Sequence, residues 1–206
     1  MASLRHNTSS PPPSEPGPRD GYLDAARACL LDVGWRRTTL TEVARRAGVS
    51  RMTIYRTWND MPQLLGDLMT REWSQVMAAT AVAESPEAGG DAVERIADGV
   101  LAAVRALRGN ELFVRIVEVD PELVLPYLLH RRGRSQDLVL AAGEEAIAAG
   151  QRAGRVRAGE PVLIARALLL ALHGFVISAH TMVDDAVSAE ALEAELRHLV
   201  RAVLAP

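Results

Sequence analysis

The spacing of the apolar residues constrains this chain most, because it is helical almost throughout from Tyr22 to Leu204. Side chains three or four positions apart share one face of an α-helix, whereas a strand needs alternation over a run bounded by turn residues. The sequence contains no alternating run of that kind and no internal repeat. It therefore predicts an all-α protein of about nine helices.

Composition narrows the class of protein. Of the 206 residues, 49% are apolar and 24% are charged, as in ordinary globular proteins. The single cysteine, Cys29, excludes an intramolecular disulfide framework and a cysteine zinc site. The N-terminus has no apolar signal segment, which favours a cytoplasmic protein. The most apolar stretch, residues 162–179, is interrupted by Arg166, His173 and Gly174, so we do not expect it to span a membrane.

Breaks in the helical pattern divide the chain into three parts. Residues 1–19 are rich in proline and serine and predict a disordered arm. Residues 20–66 form a first expected domain, in which Gly34 and Gly48 end the first two helices. Residues 67–206 form a second expected domain, interrupted by the proline- and glycine-containing stretch 84–90.

The charge of the chain is uneven. The net charge is −3, but the segment from Val33 to Asn59 carries six arginines against the single acid Glu42. A basic segment in an otherwise acidic protein is typical of a nucleic-acid surface, although a solvated helical face would have the same charge.

The segment from Leu40 to Trp58 has the pattern of a helix-turn-helix. Apolar residues occur where two crossing helices must touch, and Gly48 permits a positive φ at the turn. Thr39 and Ser50 precede the two helices as N-caps. The second helix then offers side chains that can bind guanine edges or phosphates: Arg51, Met52, Thr53, Tyr55 and Arg56.

On these residues the sequence resembles the tetracycline-repressor (TetR) family of transcriptional regulators. The resemblance covers about residues 20–66. It rests on the pair Gly34-Trp35, the turn Ala47-Gly48-Val49-Ser50, and the run Thr53-Ile54-Tyr55 followed by Trp58.

The resemblance implies a homodimer that places the helix Arg51–Trp58 in the major groove of a palindromic double-stranded operator. Thr38 and Thr39 would then bind phosphates, as would Tyr55 and Thr57. Arg51, Met52 and Thr53 would face base edges or adjacent phosphates, and Trp58 would pack beneath the motif. One position departs from the family pattern, because Met61 stands where a phosphate-binding lysine is frequent. Arg56, or backbone N–H groups at that helix start, could compensate.

The resemblance also implies that the second domain encloses an effector pocket. The candidate lining residues combine apolar bodies with a few polar tips, although each could instead be ordinary core: Trp73, Met77, Phe113, Tyr127, His173 and His180. Basic groups are scarce among them, which favours a neutral or hydrophobic small-molecule effector. The two apolar C-terminal helices are expected to form the dimer seam.

Other classes of protein fit the sequence less well. No catalytic motif, phosphate loop, metal-ligand spacing or cofactor signature is present, so we expect neither an enzyme nor a cofactor or metal site. Two further alternatives remain at this stage. One is a constitutive DNA-binding protein without an effector, and the other is a small-molecule binder of the same fold that no longer reads DNA.

Overall fold

The computed structural model describes residues 17–83 and 91–206, with the side chains of residues 79–83 excepted. The predicted break at 84–90 and most of the predicted arm lie outside this part. Ten α-helices run from α1 to α10 in chain order: Pro18–Val33, Leu40–Arg46, Arg51–Thr57, Met61–Ala83, Ala92–Arg108, Glu111–Val119, Leu125–Leu129, Arg134–Arg152, Pro161–Ile177 and Ala189–Leu204. The described ranges contain no strand, which confirms the all-α class.

The described residues contain ten α-helices rather than about nine. The stretch after Asp120 forms a short 3₁₀ turn, Pro121–Leu123, and then the separate five-residue α7. A second difference lies at the N-terminus, where α1 begins at Pro18, inside the predicted arm. Proline is tolerated in a first helical turn because its missing N–H would have no intrahelical partner there.

Glycine sets both predicted helix ends in the first part of the chain. Gly34 follows α1 with φ 78°, and Gly48 lies in the turn between α2 and α3 with φ 67°. A side chain at either φ would be strained, so both positions favour glycine.

Two apolar cores organise the molecule. The first joins α1, α2, α3 and the beginning of α4 to α6, through Leu112 and Ile116. The second joins α5, α8, α9 and α10, where α8 packs on α9 and α10 packs on α5. Helix α4 also packs on α5 and α8, so this single helix connects the two cores.

None of the helices in the described ranges combines the length and the apolar character that crossing a bilayer requires.

Candidate nucleic-acid interface and ligand cavity

The two helices of the motif begin at capping hydroxyls, as predicted. The hydroxyl of Thr39 accepts a 3.2 Å hydrogen bond from the N–H of Glu42, and that of Ser50 accepts one of the same length from Thr53. Each such cap stabilises a helix by roughly 0.5–2 kcal/mol, a large share for helices of only seven residues.

The apolar residues of the motif fix the angle at which α3 crosses α2. Val43, Ala44 and Ile54 are almost fully buried against each other and α1. Because Ile54 is the buried side of α3, the opposite side of the helix is turned outward. Four side chains are exposed there: Arg51, Met52, Tyr55 and Arg56. Met52 is 69% exposed.

Ion pairing separates the basic residues of this region into two groups. Arg45 pairs with Glu42, Arg46 with Asp32, and Arg36 with Glu122. Three arginines form no ion pair with any residue in the described ranges: Arg37, Arg51 and Arg56. Arg51 instead donates from Nε to the hydroxyl of Thr41 at 3.1 Å, which holds the guanidinium beside the start of α3.

Arg37 is a candidate that the sequence reasoning did not single out. It is exposed on the 3₁₀ turn Trp35–Arg37, and it lines the same surface depression as Thr39. The only sequence signal was its membership of the basic segment, which does not tell a paired arginine from an unpaired one.

Two of the predicted phosphate contacts are disfavoured by the structure. Thr38 is buried, and its hydroxyl donates to the carbonyl of Gly34 at 2.7 Å, because it closes the turn after α1. Thr57 is half-buried, and its hydroxyl donates to the carbonyl of Thr53 at 3.1 Å. Thr39 remains exposed, and its hydroxyl proton is free to be donated. Contact of any of these residues with DNA stays a prediction.

The start of α4 offers few free backbone donors for a phosphate. Pro62 has no N–H, and the N–H of Gln63 donates to the carboxylate of Asp60 at 2.8 Å. The side chain of Gln63 in turn accepts from the N–H of Asn59 at 2.8 Å. Met61 adds no charge and packs against the first core. Backbone N–H groups at the start of α4 are therefore poor substitutes for the phosphate-binding lysine that Met61 replaces.

Trp58, the residue that follows α3, connects that helix to α4. Its indole is fully buried, and Nε1 donates to Oδ2 of Asp67 at 2.7 Å. Asp67 also pairs with Arg19 of α1 and Arg134 of α8. Burial alone would raise the pKa of Asp67, but the hydrogen bonds from Trp58, Arg134 and Arg19 outweigh it and lower the pKa. The group is therefore ionised at neutral pH.

A second set of polar contacts joins the head, α1 to α3, to α6. The backbone N–H of Trp35 donates to the buried carboxylate of Asp120 at 3.1 Å. Arg115 donates from Nε to the carbonyl of Leu30 at 3.2 Å. Both bonds satisfy groups at the end of α1, so a shift of α6 would be felt in the head.

A cavity of about 530 Å³ lies beside α4, within the range of small-molecule sites. Four of the predicted residues line it together: Trp73, Phe113, Tyr127 and His173. Most of the remaining lining is apolar, and it comes from α4, α5, α8 and α9 and from the segment between α6 and α8. Gln136 is hydrogen-bonded to the imidazole of His173 at 3.3 Å, and burial lowers the pKa of His173, so the ring is neutral at pH 7.

The other two predicted pocket residues are not among those lining the cavity. Met77 lies one turn beyond Trp73 on α4. The seven-residue spacing from His173 to His180 would place both on one face of a continuous helix, but the helix does not continue that far. Helix α9 ends at Ile177, and the following 3₁₀ turn, Ala179–Met182, leaves His180 exposed.

The mouth of the cavity carries residues that the sequence reasoning missed. Arg131, Arg132 and Arg134 all line it. The available signal was three arginines within four residues just after Tyr127, between two predicted helices. Their presence removes the argument that scarce basic groups favour a neutral effector.

The described residues contain no cluster of three or more histidine, cysteine, aspartate or glutamate side chains able to hold a metal ion.

Comparison with known proteins identifies the family. The family described as "Bacterial regulatory proteins, tetR family" matches residues 23–68. An uncharacterized HTH-type transcriptional regulator of Mycobacterium tuberculosis strain H37Rv is 32% identical over 182 residues, which cover 88% of this chain and 92% of the relative.

Solved structures share the fold over almost the whole chain. The fatty acid degradation regulator FadR from Bacillus halodurans superposes with a TM-score of 0.64 at 17% identity, over 92% of this chain and 97% of that chain. SmeT of Stenotrophomonas maltophilia, in complex with triclosan, gives 0.61 at 21% identity over 92% of each chain. These proteins are regulators rather than enzymes. The chain thus belongs to the TetR family of bacterial transcriptional regulators, which bind DNA through a helix-turn-helix, and it is not an enzyme.

Proposed function

We propose that this chain is a homodimeric repressor that is released from a palindromic operator when a small hydrophobic effector enters the cavity beside α4. The observation that carries the proposal is the position of α4. This one helix accepts a hydrogen bond from Trp58, the residue after α3, through Asp67, and it continues without a break to Trp73, six residues further on. Its side chain Trp73 lines the cavity.

The exposed face of α3 supports DNA reading. Arg51 can donate two parallel hydrogen bonds to O6 and N7 of a guanine. Thr53 lies two residues further along α3. Hydrogen bonds to DNA phosphates can come from four further exposed side chains: Arg37, Thr39, Tyr55 and Arg56. Since Arg37, Arg51 and Arg56 form no ion pair within the described ranges, binding DNA would break none.

A dimer is supported by the outer face of α9. The apolar stripe, as we name it here, consists of five exposed residues: Leu163, Ala167, Leu170, Ala171 and Gly174. Leu163 and Leu170 are 68% and 70% exposed. Their spacing places them on one helical face, and small residues between them allow a partner helix to approach closely. On α10, Leu199 is also 47% exposed.

In a dimer, a ligand in the cavity can change the affinity for DNA. A symmetric dimer reads two half-sites about 34–36 Å apart, so a small rotation of each α4 would spoil the fit. An effector changes operator affinity only if it binds the released arrangement more tightly than the DNA-bound one. The apolar lining of the cavity suits a hydrophobic effector. Of the structurally similar proteins, one is described as a fatty acid degradation regulator and another was solved in complex with triclosan.

The first test is fluorescence anisotropy of the purified protein on DNA flanking its own gene. Scrambled DNA of equal length, at near-physiological salt, is the control. A preference of at least about 10³ for the native fragment supports specific regulation. Equal weak binding to both would contradict an operator beside the gene, and selection of bound genomic fragments would then find an operator elsewhere or show that the head reads none.

The second test uses the operator found by the first. A screen of hydrophobic small molecules should identify compounds that lower its affinity for the protein. If none does, and none binds the protein, a constitutive DNA-binding protein without an effector becomes the better description.

A further inference from the structure

The mouth of the cavity contains a guanidinium group that is not neutralised by a carboxylate of the described residues. Arg131 is exposed, lines the cavity, and lies over the ring of Tyr127, 5.2 Å from its centroid. A guanidinium stacked on an aromatic face keeps its N–H edge free for an acceptor. Arg131 is therefore held in position at the mouth with unused donors.

The two neighbouring arginines are already paired. Arg132 donates to Asp137 at 3.2 Å, and Arg134 pairs with Asp67. Among the three arginines that line the mouth, Arg131 is the one that can bind an anion without breaking an ion pair seen in the described part of the chain. One free guanidinium balances one negative charge.

The interior of the cavity requires an apolar ligand body. Leu107, Phe113, Ile116, Leu169 and Leu172 line it. Its polar groups include the Gln136–His173 pair, in which the imidazole is neutral. A charged group would lose its hydration there without a partner, so a charge on the ligand belongs at the mouth.

We propose that the effector is an amphipathic monoanion, a hydrophobic carboxylic acid whose carboxylate binds Arg131 while its apolar chain fills the cavity. The inference rests on the proposed function and names the chemical class of its ligand. A carboxylate matches the planar fork of a guanidinium with two parallel hydrogen bonds. A second negative charge would find no unpaired arginine at the mouth, because Arg132 and Arg134 are already paired with carboxylates.

The test compares two probes with the same ten-carbon chain length, one with an anionic carboxylate head group and one with a neutral hydroxyl. Decanoate and 1-decanol are titrated into the purified full-length protein at pH 7.5, and the dissociation constants are measured by calorimetry. We expect decanoate to bind roughly tenfold to a hundredfold more tightly, the range of one charge-assisted hydrogen-bonded contact. Arg131→Gln should remove this preference and leave 1-decanol binding unchanged.

Two further variants separate charge from structure. Arg131→Lys keeps the charge without the fork and should retain part of the preference. Arg152→Gln is the matched control, since Arg152 is an exposed arginine at the far end of α8 that does not line the cavity. Circular dichroism of each variant checks that it is folded.

Equal binding of the two probes to the wild-type protein would overturn the proposal that the effector is a monoanion. It would still agree with a site for a hydrophobic effector. A preference for decanoate that survives Arg131→Gln would also overturn it, because the anion would then bind elsewhere. If neither probe binds, the hydrophobic acid is excluded. The operator-release screen then decides separately whether the proposed regulator has an effector of another class.

Discussion

The indole of Trp58 donates a 2.7 Å hydrogen bond to the carboxylate of Asp67, nine residues further along the chain. The indole is fully buried and lies edge-on to the ring of Tyr22 at a centroid distance of 6.4 Å. The same carboxylate pairs with Arg134 at the start of α8. A single residue of α4 therefore contacts the end of the helix-turn-helix on one side and the first turn of α8 on the other.

Replacing Trp58 with phenylalanine tests this anchor. The aromatic ring is retained, but Asp67 loses its most buried donor and a small void is left. We expect the free energy of unfolding to fall by about 1–3 kcal/mol in urea denaturation. Trp35→Phe is the control, because Trp35 is half-buried and bonds Asp120 through its backbone N–H. Equal losses in both variants would argue against a special role for the Trp58–Asp67 bond.

The lowered pKa of Asp67 predicts a pH dependence of stability. Its folded-state pKa lies below the unfolded value of about 4, so its contribution is present above that pH and is lost as the pH falls through the folded value. Urea unfolding of the wild type and of Asp67→Asn should therefore differ most near pH 5–7, and the difference should shrink toward pH 3. The control Asp137→Asn alters an exposed pair and should change stability little at any pH. A difference that grows on acidification would contradict the prediction.

The fold and the motif could be predicted from the sequence because their signals are local. Helical spacing, the caps Thr39 and Ser50, and the turn at Gly48 depend on residues close in the chain. Where the structure departs from these expectations, the cause is the conformation of a turn that helical spacing does not specify. Thr38 forms a hydrogen bond that depends on how the chain turns after Gly34, and the end of α9 at Ile177 moved His180 away from the cavity.

The arginines show a second limit, which comes from tertiary contacts. Their number is visible in the sequence, but which of them have a carboxylate partner depends on residues far along the chain. Arg36 pairs with Glu122 and Arg134 with Asp67, whereas Arg37 and Arg131 form no ion pair within the described ranges. The expected domain boundary at residues 66 and 67 stays a prediction, and it falls inside the continuous helix α4.

Two substitutions on α3 should separate base reading from phosphate binding. Arg51→Ala should cost about 1–3 kcal/mol of operator affinity and relax the preference at one base pair, if the guanidinium binds a guanine edge. Tyr55→Phe should instead weaken operator and scrambled DNA by a similar factor. Anisotropy titrations on operator variants measure both effects. An Arg51→Ala protein with unchanged operator affinity would show that this arginine makes no base contact.

Filling part of the cavity should weaken the binding of an apolar ligand. Ala103 of α5 lines the cavity, and Ala103→Trp would occupy much of its apolar interior. We expect binding of the neutral fluorophore N-phenyl-1-naphthylamine to weaken at least about tenfold, since its contact surface would be lost. Ala142→Trp, at an exposed position of α8, is the control. Unchanged fluorophore binding in Ala103→Trp would place the apolar site elsewhere.

The apolar stripe on α9 predicts where the dimer can be broken. Leu170→Glu introduces a charge at its centre, and in a symmetric dimer the substitution occurs twice. Losing the burial of each leucine costs about 1.5–3 kcal/mol, and an unpaired carboxylate at the interface adds to this. Sedimentation velocity should show that the variant is a monomer, and circular dichroism that it is folded. Anisotropy should show that its operator affinity is reduced. Leu129→Glu, on the exposed face of α7, should leave the dimer intact, because Leu129 is 66% exposed but lies off the stripe. If Leu129→Glu dissociates the protein and Leu170→Glu does not, the seam involves α7 rather than the outer face of α9.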